Sequence, residues 1–141
     1  MTAAGFVASL QICPGHRKPM LPLHEVLART NHGLEGDLHA LNESPRQVLL
    51  IEGETLDALD LPPGAVKENI TTRNIGLMSL SRNQLLMVGG VRLQITSACK
   101  PCNRLEELRP GLRATLEGRR GMLARVVKGG LIRPGDSIEI L

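Results

Sequence analysis

Residues 85–96 read LLMVGGVRLQIT. Two β-favouring apolar runs flank Gly89-Gly90, and glycine meets the positive φ angles of a two-residue turn at no steric cost, so the stretch predicts a β-hairpin. RQVLLIE at 46–52 holds a continuous apolar run and predicts a buried strand. Residues 5–13 alternate, with Phe6, Ala8, Leu10 and Ile12 on one face, which predicts a half-buried strand ended by Cys13-Pro14-Gly15. Further extended segments are expected at 23–29, at 66–72 (VKENITT), at 122–127, and at 137–141 after the turns Gly129-Gly130 and Pro134-Gly135-Asp136. Short helices are expected at 52–59, stopped by Leu61-Pro62-Pro63-Gly64, at 102–108 and at 111–118. Residues 30–45 form a polar loop whose length marks it as functional or disordered. No βαβ pattern is visible. Many short strands between Gly and Pro punctuation predict a mostly β chain, a closed or nearly closed β-barrel with short peripheral helices. Closure removes the unpaired strand edges an open sheet would expose.

The 141 residues fit one domain, 1–141. At 42% hydrophobic residues, with one Phe and neither Trp nor Tyr, the core is built from Leu, Ile, Val, Met and Ala. The lack of aromatic faces argues against single-stranded nucleic-acid binding, where bases stack on such faces. A net charge of +3 scattered among 14 acidic residues gives no basic stripe for nucleic acid or a membrane surface. No apolar run approaches the roughly 20 residues of a membrane span. The N-terminal stretch has no basic region ahead of its apolar residues, so no signal peptide is expected. Three cysteines, Cys13, Cys99 and Cys102, make a poor disulfide framework. A cytoplasmic, reducing location follows as the expectation.

The chemistry centres on ITSACKPCNRLEEL at 95–108. Cys102 falls where a strand gives way to an expected helix, with Lys100 and Arg104 beside it. A helix N-terminus and neighbouring cations both favour thiolate over thiol. A thiolate attacks sulfur, carries a persulfide or ligates a soft metal. The bland alternative is a small buried hydrophobe, the commoner fate of a lone Cys. Cys99-Lys100-Pro101-Cys102 also fits C-x-x-C, the spacing of a redox pair or half a zinc site. The redox reading wants a βαβ context, and the zinc reading wants a second pair of ligands.

Five blocks in order complete the reading: GLEGDLH (33–39), RQVLLIE (46–52), PGAVKENITT (63–72), VRLQIT…PC (91–102) and RRGMLARVVKGGLIRPGDSIEIL (119–141). Together they resemble the MOSC (molybdenum cofactor sulfurase C-terminal) domain, over about residues 5–141. The resemblance implies a pyruvate kinase β-barrel-like fold with peripheral helices and an association with the molybdenum cofactor. It implies that Cys102 is the thiolate that ligates molybdenum or carries sulfur destined for it. Stand-alone relatives are proposed as sulfur carriers or as reductases of N-hydroxylated compounds; a plain cofactor carrier or storage module is the alternative. The implied partners are a sulfur donor such as a cysteine desulfurase, or a separate reductase. Pyridoxal phosphate belongs to the desulfurase domain of larger relatives and is expected here only by inheritance.

A pterin phosphate needs N–H donors and cations. Asn69, Thr71 and Thr72 are candidate hydrogen-bonding groups. Arg73, Lys100, Arg104, Arg119, Arg120 and Arg125 are candidate cations, of which two or three suffice. Asp37 and His39, in the long loop, are candidates for the same mouth, with ordinary turn chemistry equally weighted. Glu68 and Asn69 read equally as a strand-end pair that locks the barrel. Residues 42–45 (NESP) lack the His-Gly-Gly stretch of some stand-alone relatives.

Overall fold

In the computed structural model, which describes residues 4–141, the chain runs in order through β1 (Gly5–Ile12), β2 (Leu21–Leu23), β3 (Val26–Arg29), β4 (Gly33–Leu34), β5 (Val48–Glu52), α1 (Gly53–Ala58), β6 (Ile70–Arg73), β7 (Leu85–Val88), β8 (Val91–Ala98), α2 (Arg104–Leu108), α3 (Leu112–Thr115), β9 (Met122–Lys128), β10 (Gly130–Ile132) and β11 (Ser137–Ile140). The first residues of the stretch read for a signal peptide lie outside those described. The hairpin stands where its sequence puts it: Val88 faces Val91, and Gly89 turns at φ +57. From it the sheet runs β11-β7-β8-β9-β5-β6-β1, and Gly5 of β1 pairs back onto Ile138 of β11, closing a seven-strand barrel. β2 adds to the outside of β1, Leu10 opposite Leu23.

Inside the barrel, Val7, Leu10, Val48, Leu50, Ile70, Leu86, Val88, Leu93, Ile95 and Val126 pack into one apolar core. β5 is buried on both faces, as a continuous apolar run should be. Its Val48 and Leu50 point inward, while Ile51 joins Leu56, Leu61, Val66, Leu105, Leu112 and Leu116 in a second cluster outside the barrel. That outer cluster seats all three helices. A three-stranded sheet, β10-β3-β4, covers part of the barrel and adds Val26, Ala28, Leu34 and Ile132 to the inner core.

The structure departs from the sequence reading in several places. Phe6 is exposed and Val7 fully buried, because a β-bulge between Val7 and Ser9 shifts the register against β6. An extra residue moves the inward positions to Val7 and Leu10, breaking the two-residue alternation. Residues 23–29 are not one strand: β2 pairs with β1, and β3 leaves for the second sheet. Residues 66–69 are not strand. Gly64 N–H donates to the Glu68 carboxyl at 2.7 Å, Lys67 N–H donates to Gly64 O at 3.0 Å, and Lys67 takes φ +68, so the chain curls before β6 begins. One β-α-β unit does occur, since β5 and β6 are parallel and α1 spans the connection between them. The C-x-x-C segment is not on it; that segment follows β8. No helix among the described residues is long and apolar enough to cross a membrane.

β9 approaches β5 closely because of Gly121. At φ +116, an added Cβ there would sit 2.3 Å from the Leu50 carbonyl oxygen. The same glycine's carbonyl accepts the Cys99 N–H at 2.9 Å, so this close approach also fixes the start of the cysteine segment.

Candidate functional site

The three thiols have different surroundings. Cys99 leaves β8 and packs on the outer barrel wall between Leu49 and Leu123, 8% exposed. Cys13 is 5% exposed, its Sγ 3.1 Å from the Gly15 carbonyl oxygen. Cys102 alone is exposed, on the turn that leads from β8 into α2. Its carbonyl accepts the Leu105 N–H at 3.1 Å, and Leu105 anchors the turn in the outer cluster. The helix that follows is a single five-residue turn, shorter than the 102–108 expected, because its first residue is Arg104.

A remote segment reaches this turn. Arg104 Nη2 lies 3.5 Å from His16 Nε2, and Arg17 lies 3.7 Å from Glu107 on α2. Lys67 Nζ donates to Lys18 O at 3.0 Å. The loop after β1 is thereby tied both to the helix beside Cys102 and to the Gly64–Glu68 curl. Lys100 and Arg104 are exposed next to Cys102 in the chain, as the sequence places them. Sequence reasoning assigned Lys18 and Lys67 no role. No spacing rule links His16 to Arg104, 88 positions apart.

Other candidates are committed to the fold. Asn69 uses three bonds: its Oδ1 accepts the Leu49 N–H at 2.9 Å, and its Nδ2 donates to Gln11 O at 3.2 Å and to Asp37 Oδ1 at 3.1 Å. Asp37 Oδ1 also accepts the Cys13 N–H at 2.7 Å, and Oδ2 accepts the His39 N–H at 3.1 Å. These two buried side chains stitch β1, β5 and the long loop together at one end of the barrel. The His39 ring is exposed. Thr72 is fully buried and its hydroxyl donates to Ile51 O, while the Thr71 hydroxyl donates to Glu68 Oε2 at 2.9 Å. Both threonines lock the sheet, and neither presents a donor at an open strand end. Arg73 forms a two-pronged pair with Asp57 of α1, at 2.6 and 3.1 Å. That hydrogen bonding raises the Arg73 pKa and lowers that of Asp57. Arg119 folds back onto Thr115 O of α3.

Arg120 and Glu68 differ from the rest. Arg120 is 6% exposed; its Nη2 donates to Val66 O at 2.7 Å, while Nε and Nη1 have no partner among the described residues. Glu68 is fully buried, and its Oε1 is likewise unpartnered. Burial raises the Glu68 pKa, against the opposing pull of hydrogen bonds from Gly64 and Thr71. A carboxyl whose folded pKa exceeds its unfolded one favours folding most while protonated in both states, and loses that advantage as pH rises through the folded value. Glu68→Gln should therefore gain stability relative to the native chain as pH rises above the ordinary glutamate value of about 4.3, with the two converging at the acid end. Urea denaturation of both chains across that range measures it; parallel pH profiles would contradict it.

Two open clefts lie elsewhere. One, of about 450 Å³, is lined by Arg29, Thr30, His32, Glu35, Gly36 and Asn42 of the long loop and its approach. The other, of about 340 Å³, lies over β8 and β9. Cys102 lines neither. No group of three or more His, Cys, Asp or Glu placed to hold a metal ion occurs among the described residues.

The MOSC domain model matches residues 35–139. Among solved structures, the YuaD protein of Bacillus subtilis superimposes with a TM-score of 0.82 at 19% identity, covering 96% of this chain and 94% of that one. YiiM of Geobacillus stearothermophilus gives 0.79 at 18% identity, covering 97% of this chain and 75% of that one. YiiM of Escherichia coli gives 0.71 at 17%, covering 96% and 69%. At these identities the likeness is one of fold. No curated protein sequence matches the chain.

Proposed function

This chain belongs to the MOSC domain family, and from that premise we propose that it carries sulfur for molybdenum cofactor chemistry on Cys102. The supporting observation is the contrast among its thiols: Cys13 and Cys99 are buried, and Cys102 is exposed on a rim outside both clefts. A carrier thiol must be reached by a donor protein and then by an acceptor, which a rim position allows and an enclosed one does not. In the loading step the Cys102 thiolate attacks the outer sulfur of a donor persulfide. The donor's S–S bond breaks, its own thiolate leaves with the electron pair, and the transferred sulfur becomes a persulfide on Cys102. A cysteine desulfurase is a donor of the required kind. Lys100 and Arg104, neighbours of Cys102 in the chain, are exposed and open to an approaching partner.

The same residues suit the molybdenum cofactor itself. Cys102 is a soft donor appropriate to the metal. Lys100 and Arg104, exposed beside Cys102 in the chain, would supply cations for a phosphate. Bound here, the cofactor would supply oxygen-atom transfer, with electrons from a separate reductase.

The test is to incubate the purified chain with a cysteine desulfurase, its pyridoxal phosphate and free cysteine, and to weigh the intact protein. The native chain should gain the mass of one sulfur atom, Cys99→Ser should gain it too, and Cys102→Ser should gain none. Protein from molybdenum-replete cells that holds molybdenum through Cys102 and takes no sulfur would replace the carrier reading with the ligand reading.

A further inference from the structure

The cleft over β8 and β9 has a lining that the proposed role of Cys102 does not use: Glu43, Pro45, Arg82, Asn83, Gln94, Thr96, Ser97 and Arg125. Its floor is built rather than accidental. Gln94 and Arg125 are register partners across β8 and β9, and Arg125 Nε donates to Gln94 Oε1 at 2.8 Å. Gln94 Nε2 in turn donates to Asn83 O at 3.4 Å. The Thr96 hydroxyl sits between Pro45 O and Leu123 O and pins the 43–45 loop over the strand. With its Nε held, the half-buried Arg125 guanidinium has a set orientation, and its terminal nitrogens bond to no atom of the described residues. Arg82, exposed at the rim, also lacks a carboxylate partner: among the described residues every ion pair within 4 Å involves other side chains.

Two unpaired guanidiniums facing one concavity repel each other, and a shared anion relieves that repulsion. Arg is the side chain whose planar fork suits a carboxylate or phosphate. A volume of about 340 Å³ is at the small end for ligand sites, and the polar lining suits a compact charged molecule over an apolar one. Glu43, also unpaired, limits how much negative charge the cleft accepts.

We propose that this cleft binds a small molecule through one oxyanion group, a carboxylate or a phosphate, held between Arg125 and Arg82 with Ser97 and Asn83 as neutral donors. Cys102 does not line this cleft, and the proposal stands whichever role that thiol has.

Succinate and inorganic phosphate are the probes, titrated by calorimetry into the full chain at constant ionic strength set with chloride. At least one should bind with a saturable isotherm, and which one identifies the anion class. Arg82→Gln should weaken that binding about tenfold, the scale of one lost charge-assisted pair. Glu43→Gln should tighten it. Arg92→Gln, an exposed arginine of β8 outside the cleft, and Cys102→Ser should leave it unchanged. Absence of saturable binding by both probes, or equal weakening by Arg82→Gln and Arg92→Gln, overturns the proposal. Because Cys102→Ser is in the panel, that failure is distinct from failure of the sulfur-carrier reading.

Discussion

Replacing Asp37 by Ala should cost the fold about 4 kcal/mol, enough to lower the urea midpoint by roughly 2 M at a slope near 2 kcal/mol per molar. Three donors converge on this carboxyl: Cys13 N–H, Asn69 Nδ2 and His39 N–H. Cys13 and Asn69 are buried, so water does not replace the lost oxygens, and a buried donor without an acceptor costs about 1–3 kcal/mol. The effect also spreads. Asn69 holds the backbones of Leu49 and Gln11 with its remaining bonds, so loosening it loosens β5 and β1 at the same end of the barrel. Asp37→Asn keeps an oxygen for Cys13 and Asn69 and turns an N–H₂ group toward His39, so it should cost about 1–2 kcal/mol. Equilibrium unfolding in urea ranks the three chains. An Asp37→Ala change within about 0.5 kcal/mol of the native chain, the range of ordinary surface substitutions, would show that the network carries no stability.

That Asp37 is a buried tie was only half legible in GLEGDLH, where turn chemistry and a mouth-lining role read equally well. The deciding contact is with Cys13, on the far side of the N-terminal strand, and no local pattern encodes it. Legibility throughout followed the range of the interaction. LLMVGGVRLQIT is a hairpin for reasons inside its own residues, and VLLI, residues 48–51, is buried on both faces because each of those positions is apolar. The alternation of 5–13 misled because a bulge is set by pairing with β6, whose partners Thr71 and Thr72 are more than sixty positions away. VKENITT looked extended because Val66, Ile70, Thr71 and Thr72 favour strands. The Glu68 carboxyl instead captures Gly64 N–H and the Thr71 hydroxyl and folds four of those residues into a turn. At the site, Cys102 stood out by its local context. Arg104, Arg120 and Arg125 were candidate cations from the sequence, but the His16–Arg104 approach and the Arg82–Arg125 cleft were not legible, since each joins segments that only the closed barrel brings together.

Alkylation with iodoacetamide at neutral pH should modify one thiol in the native chain, and that thiol should be Cys102. Exposure alone makes the difference: a reagent reaches Cys102 in the folded state, whereas Cys13 and Cys99, at 5% and 8% exposure, react only when their surroundings open. For groups held by the main packing of a domain, opening costs roughly 4 kcal/mol or more, which protects them by at least about a thousandfold. Each native rate is to be divided by the rate of the same residue in urea-unfolded chain, so that intrinsic differences between the thiols cancel. Cys99 is the sharper case, because it is only three positions from Cys102 and leans on just Leu49 and Leu123, outside the barrel. Its backbone is nevertheless tied to Gly121, whose own approach to Leu50 is as close as a glycine permits, so exposing Cys99 requires β8 and β9 to part from β5 at their shared end. The protection of Cys99 should therefore fall in urea together with the global unfolding of the barrel. If Cys99 reacts at a rate comparable to Cys102 without denaturant, the two act as a C-x-x-C pair, and a persulfide on Cys102 would have a resolving thiol beside it instead of the long-lived isolation a sulfur carrier needs.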